Sequence, residues 1–111
     1  MKTNISPFSF AQTYYTILFE VNQMHLEKRQ IELVAFCAIN GTISSPPVKA
    51  AFISQFKSSK GGVNNIISDL QKLGILVKDE YKKIRLAPSI RMDFTGTTGL
   101  SVKMKLIKEN D

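Results

Sequence analysis

The sequence contains few of the residues that build disulfide frameworks, metal sites or membrane spans. Its 111 residues include one cysteine, one histidine and no tryptophan. One cysteine cannot form a disulfide within the chain, so we expect an intracellular, reducing compartment, the cytoplasm. The longest apolar stretch, Phe8 to Val21, is interrupted by polar side chains and by Glu20. This pattern argues against a signal sequence or a membrane-spanning helix, and we expect no membrane partner.

Groups that perform catalysis are equally scarce. His25 and Cys37 each stand alone, no serine lies in a nucleophile turn, and no acidic pair or His-rich cluster has metal-site spacing. Gly61-Gly62 follows Lys60, whereas a phosphate-binding nucleotide loop places its lysine after the glycines. We therefore expect a protein without enzymatic activity and without a cofactor.

The basic residues are concentrated in the C-terminal half of the chain. The net charge is +6 at pH 7. Residues 1–48 are neutral in sum, whereas residues 49–108 carry twelve basic side chains against four acidic ones. This asymmetry favours a polyanionic partner, nucleic acid before membrane, because no basic amphipathic helix is present to lie on lipid. The alternative is a lysine-coated surface that serves solubility alone.

The first predicted helix follows Ser6, which can cap it, with Pro7 in the first position. It runs to about Asn22 or Met24, and its apolar side chains cover more than one face. These side chains belong to Phe8, Phe10, Tyr14, Tyr15, Ile17, Leu18, Phe19 and Val21. We predict that part of this surface meets a second copy of the chain or another protein. The alternative is that it packs within its own chain, across the second helix and under a C-terminal hairpin.

Two further helices are predicted before residue 58. One runs from about residue 27 to residue 39, forms the centre of the core and ends at Asn40-Gly41 with a left-handed cap. Its Cys37 has apolar neighbours, so we expect it to be buried. Residues 42–44 have room for only one short strand. The next helix starts at Ser45-Pro46 and stops near Lys57.

The pattern of apolar and turn residues in 59–87 predicts a fourth helix followed by a hairpin. Val63, Ile67 and Leu70 follow the spacing of one helix face, and Gly74 ends the helix. Two strand-like runs, "ILVK" and "KIRLA", then lie on either side of a polar turn. Gly61-Gly62 allows two interpretations. In the favoured one the glycines belong to the turn, and the helix starts at Gly62 or Val63; in the other they bring the backbone close to a phosphate.

The order helix, short strand, helix, helix, strand, strand resembles the winged helix-turn-helix family of small prokaryotic and phage regulators. Val63, Ile67, Leu70 and Gly74, followed by Ile75-Leu76-Val77, are similar to the family's recognition helix running into its wing. The resemblance covers about residues 27–87 and implies an α+β, mainly helical fold. It further implies that the helix at about 59–73 lies in a DNA major groove, and that the hairpin at about 75–87 contacts the backbone or minor groove.

The resemblance also implies which side chains contact DNA. Asparagine can pair with adenine, whereas serine, lysine and free backbone N–H groups can hold phosphates. The basic hairpin would add phosphate contacts that weaken with salt. The implied contact residues are Ser59, Lys60, Asn64, Asn65, Ser68, Lys72, Lys78, Lys82, Lys83 and Arg85. The expected function is a transcriptional regulator that binds double-stranded DNA and acts by site occupancy, dimeric through its first helix.

We expect one domain over residues 1–111, made of an N-terminal helix (1–25), a winged-helix core (26–88) and an extension (89–111). Alternating apolar residues in the extension predict a second hairpin, from about Ser89 to Lys108. Its lysines either enlarge the basic face or, as we favour, solvate a sheet edge.

A second functional hypothesis is a non-enzymatic structural or assembly protein, for example of a phage virion or replication complex. In that case the winged-helix scaffold would contact other proteins, because fold does not fix function. The absence of arginine from the predicted recognition face favours this hypothesis.

Overall fold

A computed structural model describes residues 6–92 of the chain. These residues form four α-helices and a two-stranded antiparallel sheet, so the predicted α+β class is confirmed. The helices are α1 Pro7–Val21, α2 Lys28–Asn40, α3 Pro46–Phe56 and α4 Lys60–Lys72, and the strands are β1 Leu76–Lys78 and β2 Ile84–Leu86. A 3-10 helix, Pro88–Ile90, follows the sheet.

The helix boundaries follow local capping signals. The Ser6 hydroxyl accepts a 3.1 Å hydrogen bond from the Ser9 backbone N–H, and Pro7 occupies the first position of α1. Gly41 ends α2 with a φ of 81°, a left-handed conformation that glycine adopts without steric cost. These two boundaries agree with the prediction because each depends on neighbouring residues only.

The core is built around α2, which contacts α1, α3, α4 and β2. Five consecutive residues of α2, Leu33 to Cys37, are buried, which confirms the expectation for Cys37. Apolar residues of the other elements surround them. The buried ones are Ala11, Tyr15 and Phe19 of α1, Phe52 of α3, Val63, Ile67 and Leu70 of α4, and Ile75, Leu76 and Leu86 of the hairpin, with Ile43 between α2 and α3.

Helix α1 packs mainly against α2 of its own chain. Its Tyr15 hydroxyl donates a 2.7 Å hydrogen bond to the Ile90 carbonyl oxygen, which joins α1 to the segment after the hairpin. Four further apolar side chains of α1 are half-buried against the core: Phe8, Phe10, Tyr14 and Leu18. Only Ile17 and Val21 are strongly exposed, at 58% and 73%. The apolar surface that α1 offers to a partner is therefore smaller than the sequence suggested.

The hairpin pairs Leu76 with Leu86 and Lys78 with Ile84, and backbone hydrogen bonds extend the pairing to Ile75 and Ala87. The short strand predicted at residues 42–44 is wrong. This segment gives β2 one backbone hydrogen bond, from the Ile43 N–H to the Ile84 carbonyl oxygen at 3.0 Å. The Thr42 and Ser44 hydroxyls make the remaining bonds to Ile84, so side chains take the place of a backbone ladder.

The second hairpin was predicted to begin at about Ser89, and this start is wrong. Ser89 lies in the 3-10 helix, which Pro88 opens with its fixed φ, and the Ile90 N–H bonds to the Ala87 carbonyl oxygen at 3.0 Å. The remainder of the predicted hairpin lies outside the described residues.

Candidate nucleic-acid interface

The connection between α3 and α4 is a three-residue turn formed by Lys57, Ser58 and Ser59. Lys57 caps α3 in the left-handed conformation, with a φ of 54°, and its N–H bonds to the Ile53 carbonyl oxygen. The Ser58 N–H bonds to the same carbonyl oxygen at 3.1 Å, and Ser59 then caps α4. A turn of three residues between two helices has the length found in helix-turn-helix motifs.

Helix α4 begins at Lys60, so the prediction that Gly61 and Gly62 belong to the preceding turn is wrong. The Ser59 hydroxyl accepts a 2.9 Å hydrogen bond from the Gly62 N–H, which offsets the low helix propensity of the glycines. A Cβ atom at Gly62 would lie 3.0 Å from the Ser59 Oγ atom, whereas one at Gly61 would meet no neighbour within 4 Å. Gly62 therefore leaves room for the capping hydroxyl.

The outer face of α4 carries five of the predicted contact residues. Their side chains are exposed, whereas Val63, Ile67 and Leu70 of the same helix are buried. The five are Lys60, Asn64, Asn65, Ser68 and Lys72. Ser59 lies at the start of the same helix, where its hydroxyl acts as the cap described above. Asp69 is the acidic residue on this face, so the face as a whole is weakly basic.

Lys49 of α3 lies beside the outer face of α4, and the sequence did not predict this position. Its Nζ atom donates a 3.2 Å hydrogen bond to the Asn64 Oδ1 atom, which links the N-terminal part of α3 to α4. The two residues are brought together by helix packing, and no local pattern predicts the pair. The contact occupies the amide oxygen of Asn64, which adenine recognition also requires, whereas Asn65 makes no hydrogen bond from its side chain to a described residue.

The turn of the hairpin is held by the Asp79 carboxylate. One of its oxygens accepts 2.9 Å hydrogen bonds from the backbone N–H groups of both Tyr81 and Lys83. The Lys83 bond contributes most to holding the pKa of Asp79 below its usual value. Lys82 takes a left-handed conformation with a φ of 64°, and its N–H bonds to the Asp79 carbonyl oxygen. The turn therefore presents exposed Lys82 and Lys83 on a fixed backbone, beside Tyr81, which is 75% exposed.

The remaining hairpin residues differ in their surroundings. Lys78 is exposed on β1 beside the turn. Arg85 on β2 is half-buried, and its Nε atom donates a 3.0 Å hydrogen bond to the Gly41 carbonyl oxygen. Within residues 6–92 the single ion pair joins Arg29 to Glu32 at 3.0 Å, so the lysines of α4 and of the hairpin have no carboxylate partner there.

A comparison with protein-family models, curated proteins and solved structures finds no match to this chain. In the part of the chain that the structure describes, no helix is long and apolar enough to cross a membrane. The same residues contain no group of three or more histidine, cysteine or acidic side chains placed to hold a metal ion.

Proposed function

We propose that the protein binds double-stranded DNA as a winged helix-turn-helix regulator, with α4 in the major groove and the hairpin on the sugar-phosphate backbone. The observation that carries the proposal is the direct succession of a three-residue helix-helix turn, a helix with a polar outer face and a lysine-tipped hairpin. In helix-turn-helix proteins the second helix reads base edges while the first crosses the backbone. This arrangement gives α3 and α4 distinct roles.

The contacts divide into two classes. Lys49, Lys60 and Lys72 on the helices and Lys78, Lys82 and Lys83 on the hairpin supply cations for phosphates, which position the protein without reading sequence. Asn64, Asn65 and Ser68 are the exposed polar side chains that can reach base edges. Arg85 is set apart from both classes because its Nε atom is bonded to the Gly41 carbonyl oxygen.

The proposal is tested by titrating a mixed-sequence DNA duplex at several salt concentrations with the wild type and with Lys82→Ala/Lys83→Ala. We expect wild-type affinity to fall steeply with salt. The slope of log K against log salt should shrink by up to about 0.9 for each phosphate contact that the variant loses. Lys28→Ala is the control, because Lys28 is exposed at the start of α2, outside the proposed interface.

Two outcomes would contradict the proposal. Absence of duplex binding at low salt would remove DNA as the partner. A salt slope that changes by the same amount per lysine removed in Lys28→Ala and in Lys82→Ala/Lys83→Ala would show that the lysines act only through net charge. Circular dichroism of each variant confirms that the helices are retained, so that a loss of affinity is not a loss of fold.

A protein-binding scaffold is the second candidate, favoured by the exposed Ile17 and Val21 of α1. These two residues lie one helical turn apart and form a small apolar stripe. If the chain fails to bind duplex DNA and yet self-associates through this stripe, the structural or assembly hypothesis replaces the regulator.

A further inference from the structure

A cleft of about 580 Å³ lies between the C-terminal end of α2, strand β2 and residues 88–92. Its walls are formed in part by Cys37 from α2, by Gly41, which ends that helix, by Leu86 from β2 and by Met92. This volume lies within the range of small-molecule sites, which are largely apolar with a few convergent polar groups. Neither the α4 face nor the hairpin turn contributes to it.

The charged groups in the cleft are two arginines, and the backbone holds both in place. The Arg85 Nε atom donates to the Gly41 carbonyl oxygen at 3.0 Å, and an Arg91 terminal nitrogen donates to the Leu86 carbonyl oxygen at 2.8 Å. A guanidinium has five N–H donors, so each group retains donors for a ligand. Because each guanidinium is held by a hydrogen bond to the backbone, less conformational entropy is lost when an anion binds.

Among the described residues that line the cleft, no carboxylate balances the charge of these guanidiniums. The residues that line it include no aspartate or glutamate, and neither arginine forms an ion pair within residues 6–92. Burial raises the pKa of the Cys37 thiol to about 12, while the charges of Arg85 and Arg91 act in the opposite direction. Both guanidiniums therefore act electrostatically on the same buried wall of the cleft.

We propose that this cleft binds a small organic anion, whose carboxylate or phosphate group is held by Arg85 and Arg91 and whose apolar part lies against Cys37, Leu86 and Met92. Arginine is suited to this role because its planar fork matches two oxygens of such a group. The inference does not depend on DNA binding, since it uses a different face of the molecule.

The test follows the side-chain Nε–H signals of the full chain by NMR while hexanoate or hexyl phosphate is added. The sequence contains three arginines, and Arg29 serves as the internal reference because it is paired with Glu32. We expect saturable shifts at Arg85 and Arg91 with at least one of the anions, and no shift at Arg29. Comparing the two anions identifies the preferred head group. Hexanol, which has the same alkyl chain and no charge, is the control for binding that does not require an anionic group.

The matched variants are Arg91→Gln, which removes one guanidinium, and Lys78→Gln, which removes a cation from the hairpin outside the cleft. We expect Arg91→Gln to weaken anion binding at least 10-fold with an otherwise unchanged backbone spectrum, and Lys78→Gln to bind as the wild type does. The proposal is overturned by absence of saturation with both anions, by equal shifts at all three arginines, or by equal affinity in Arg91→Gln.

Discussion

The Tyr15 hydroxyl and the Ile90 carbonyl oxygen, 75 positions apart in sequence, are joined by a 2.7 Å hydrogen bond. Tyr15 is fully buried in α1, and Ile90 closes the 3-10 helix after the hairpin. The bond therefore ties the N-terminal helix to the segment that leaves β2. Helix α1 is part of the core that supports the hairpin. We therefore expect a change that disturbs the packing of α1 to disturb the proposed interface as well.

Replacement of Tyr15 by phenylalanine removes this hydrogen bond while keeping the ring. We expect Tyr15→Phe to lower the free energy of unfolding by about 0.5–1.5 kcal/mol, the usual net value of one such bond. Urea unfolding of the variant and the wild type measures the difference. Tyr81→Phe is the control, because Tyr81 is exposed and its hydroxyl donates to no described residue. Equal stability of Tyr15→Phe and wild type would contradict the role of the bond.

The same residue should make stability depend on alkaline pH. Burial raises the pKa of Tyr15 above its ordinary value of 10.0. The unfolded chain then loses its tyrosine proton at a lower pH than the folded chain does. The contribution of Tyr15 is complete below pH 10 and declines as the pH rises above it. We expect the stability difference between wild type and Tyr15→Phe to shrink over that interval. A constant difference up to pH 11 would contradict the prediction.

The left-handed conformation of Lys57 gives a prediction with a sign that sequence propensity alone would not suggest. A non-glycine residue costs roughly 1–2 kcal/mol in this conformation. Glycine removes this cost in the folded chain, and it also gives the unfolded chain more conformational freedom, which partly offsets the gain. We expect Lys57→Gly to raise the free energy of unfolding by about 1 kcal/mol. Lys28→Gly makes the same exchange at a residue in helical conformation and should lower the free energy of unfolding. Thermal or urea unfolding of both variants provides the measurement, and a shared sign would contradict the argument.

The parts of the fold that the sequence predicted are those governed by neighbouring residues. Ser6 and Gly41 are local signals, and the helix ends that they set, the start of α1 and the end of α2, were predicted to within one residue. Gly61 was misassigned because propensity argued against a helix, whereas the Ser59 cap stabilises its first turn. The prediction of a strand at residues 42–44 was wrong because the Thr42 and Ser44 hydroxyls replace a backbone ladder. These side-chain bonds can be foreseen only when the position of β2 is known.

The candidate site shows the same division. The helical period placed Asn64, Asn65 and Ser68 on one exposed face, as the structure has them. Lys49 was missed because its contact with Asn64 depends on how α3 crosses α4. Arg85 was grouped with the hairpin lysines on charge, yet its bond to the Gly41 carbonyl oxygen arises from tertiary packing that charge does not predict.

The contact between Lys49 and Asn64 makes the two asparagines of α4 unequal. If the protein reads bases, Asn65→Ala should cost about 1–3 kcal/mol on a preferred site selected from random duplexes and little on mixed-sequence DNA. Asn64→Ala and Lys49→Ala should show a coupling energy in a double-mutant cycle of binding, because each removes a partner of the other. Equal losses of affinity in Asn65→Ala on both DNAs would mean that Asn65 contacts only the DNA backbone. Additive effects of Asn64→Ala and Lys49→Ala would show that the contact between these two residues does not contribute to binding.

The exposed stripe of α1 provides the test of self-association. Ile17 is 58% exposed and Val21 is 73% exposed, whereas their neighbour Leu18 is half-buried against the core. If the stripe forms a two-fold interface, Ile17→Glu should give a folded monomer, because a charge buried in an interface is costly while the same charge in water is not. Leu18→Glu should instead reduce the stability of the chain itself, since it introduces the charge beside the core.

Sedimentation combined with circular dichroism separates these outcomes. A two-fold dimer would place its two α4 helices about one DNA turn apart, so the preferred site would be a palindrome and Ile17→Glu would bind it far more weakly than the wild type. The loss should appear on the palindrome and be much smaller on a single half-site, because a monomer retains every contact of one α4 helix. A wild-type chain that sediments as a monomer at high concentration would contradict self-association. In that case the stripe formed by Ile17 and Val21 would either remain in water or contact a different protein.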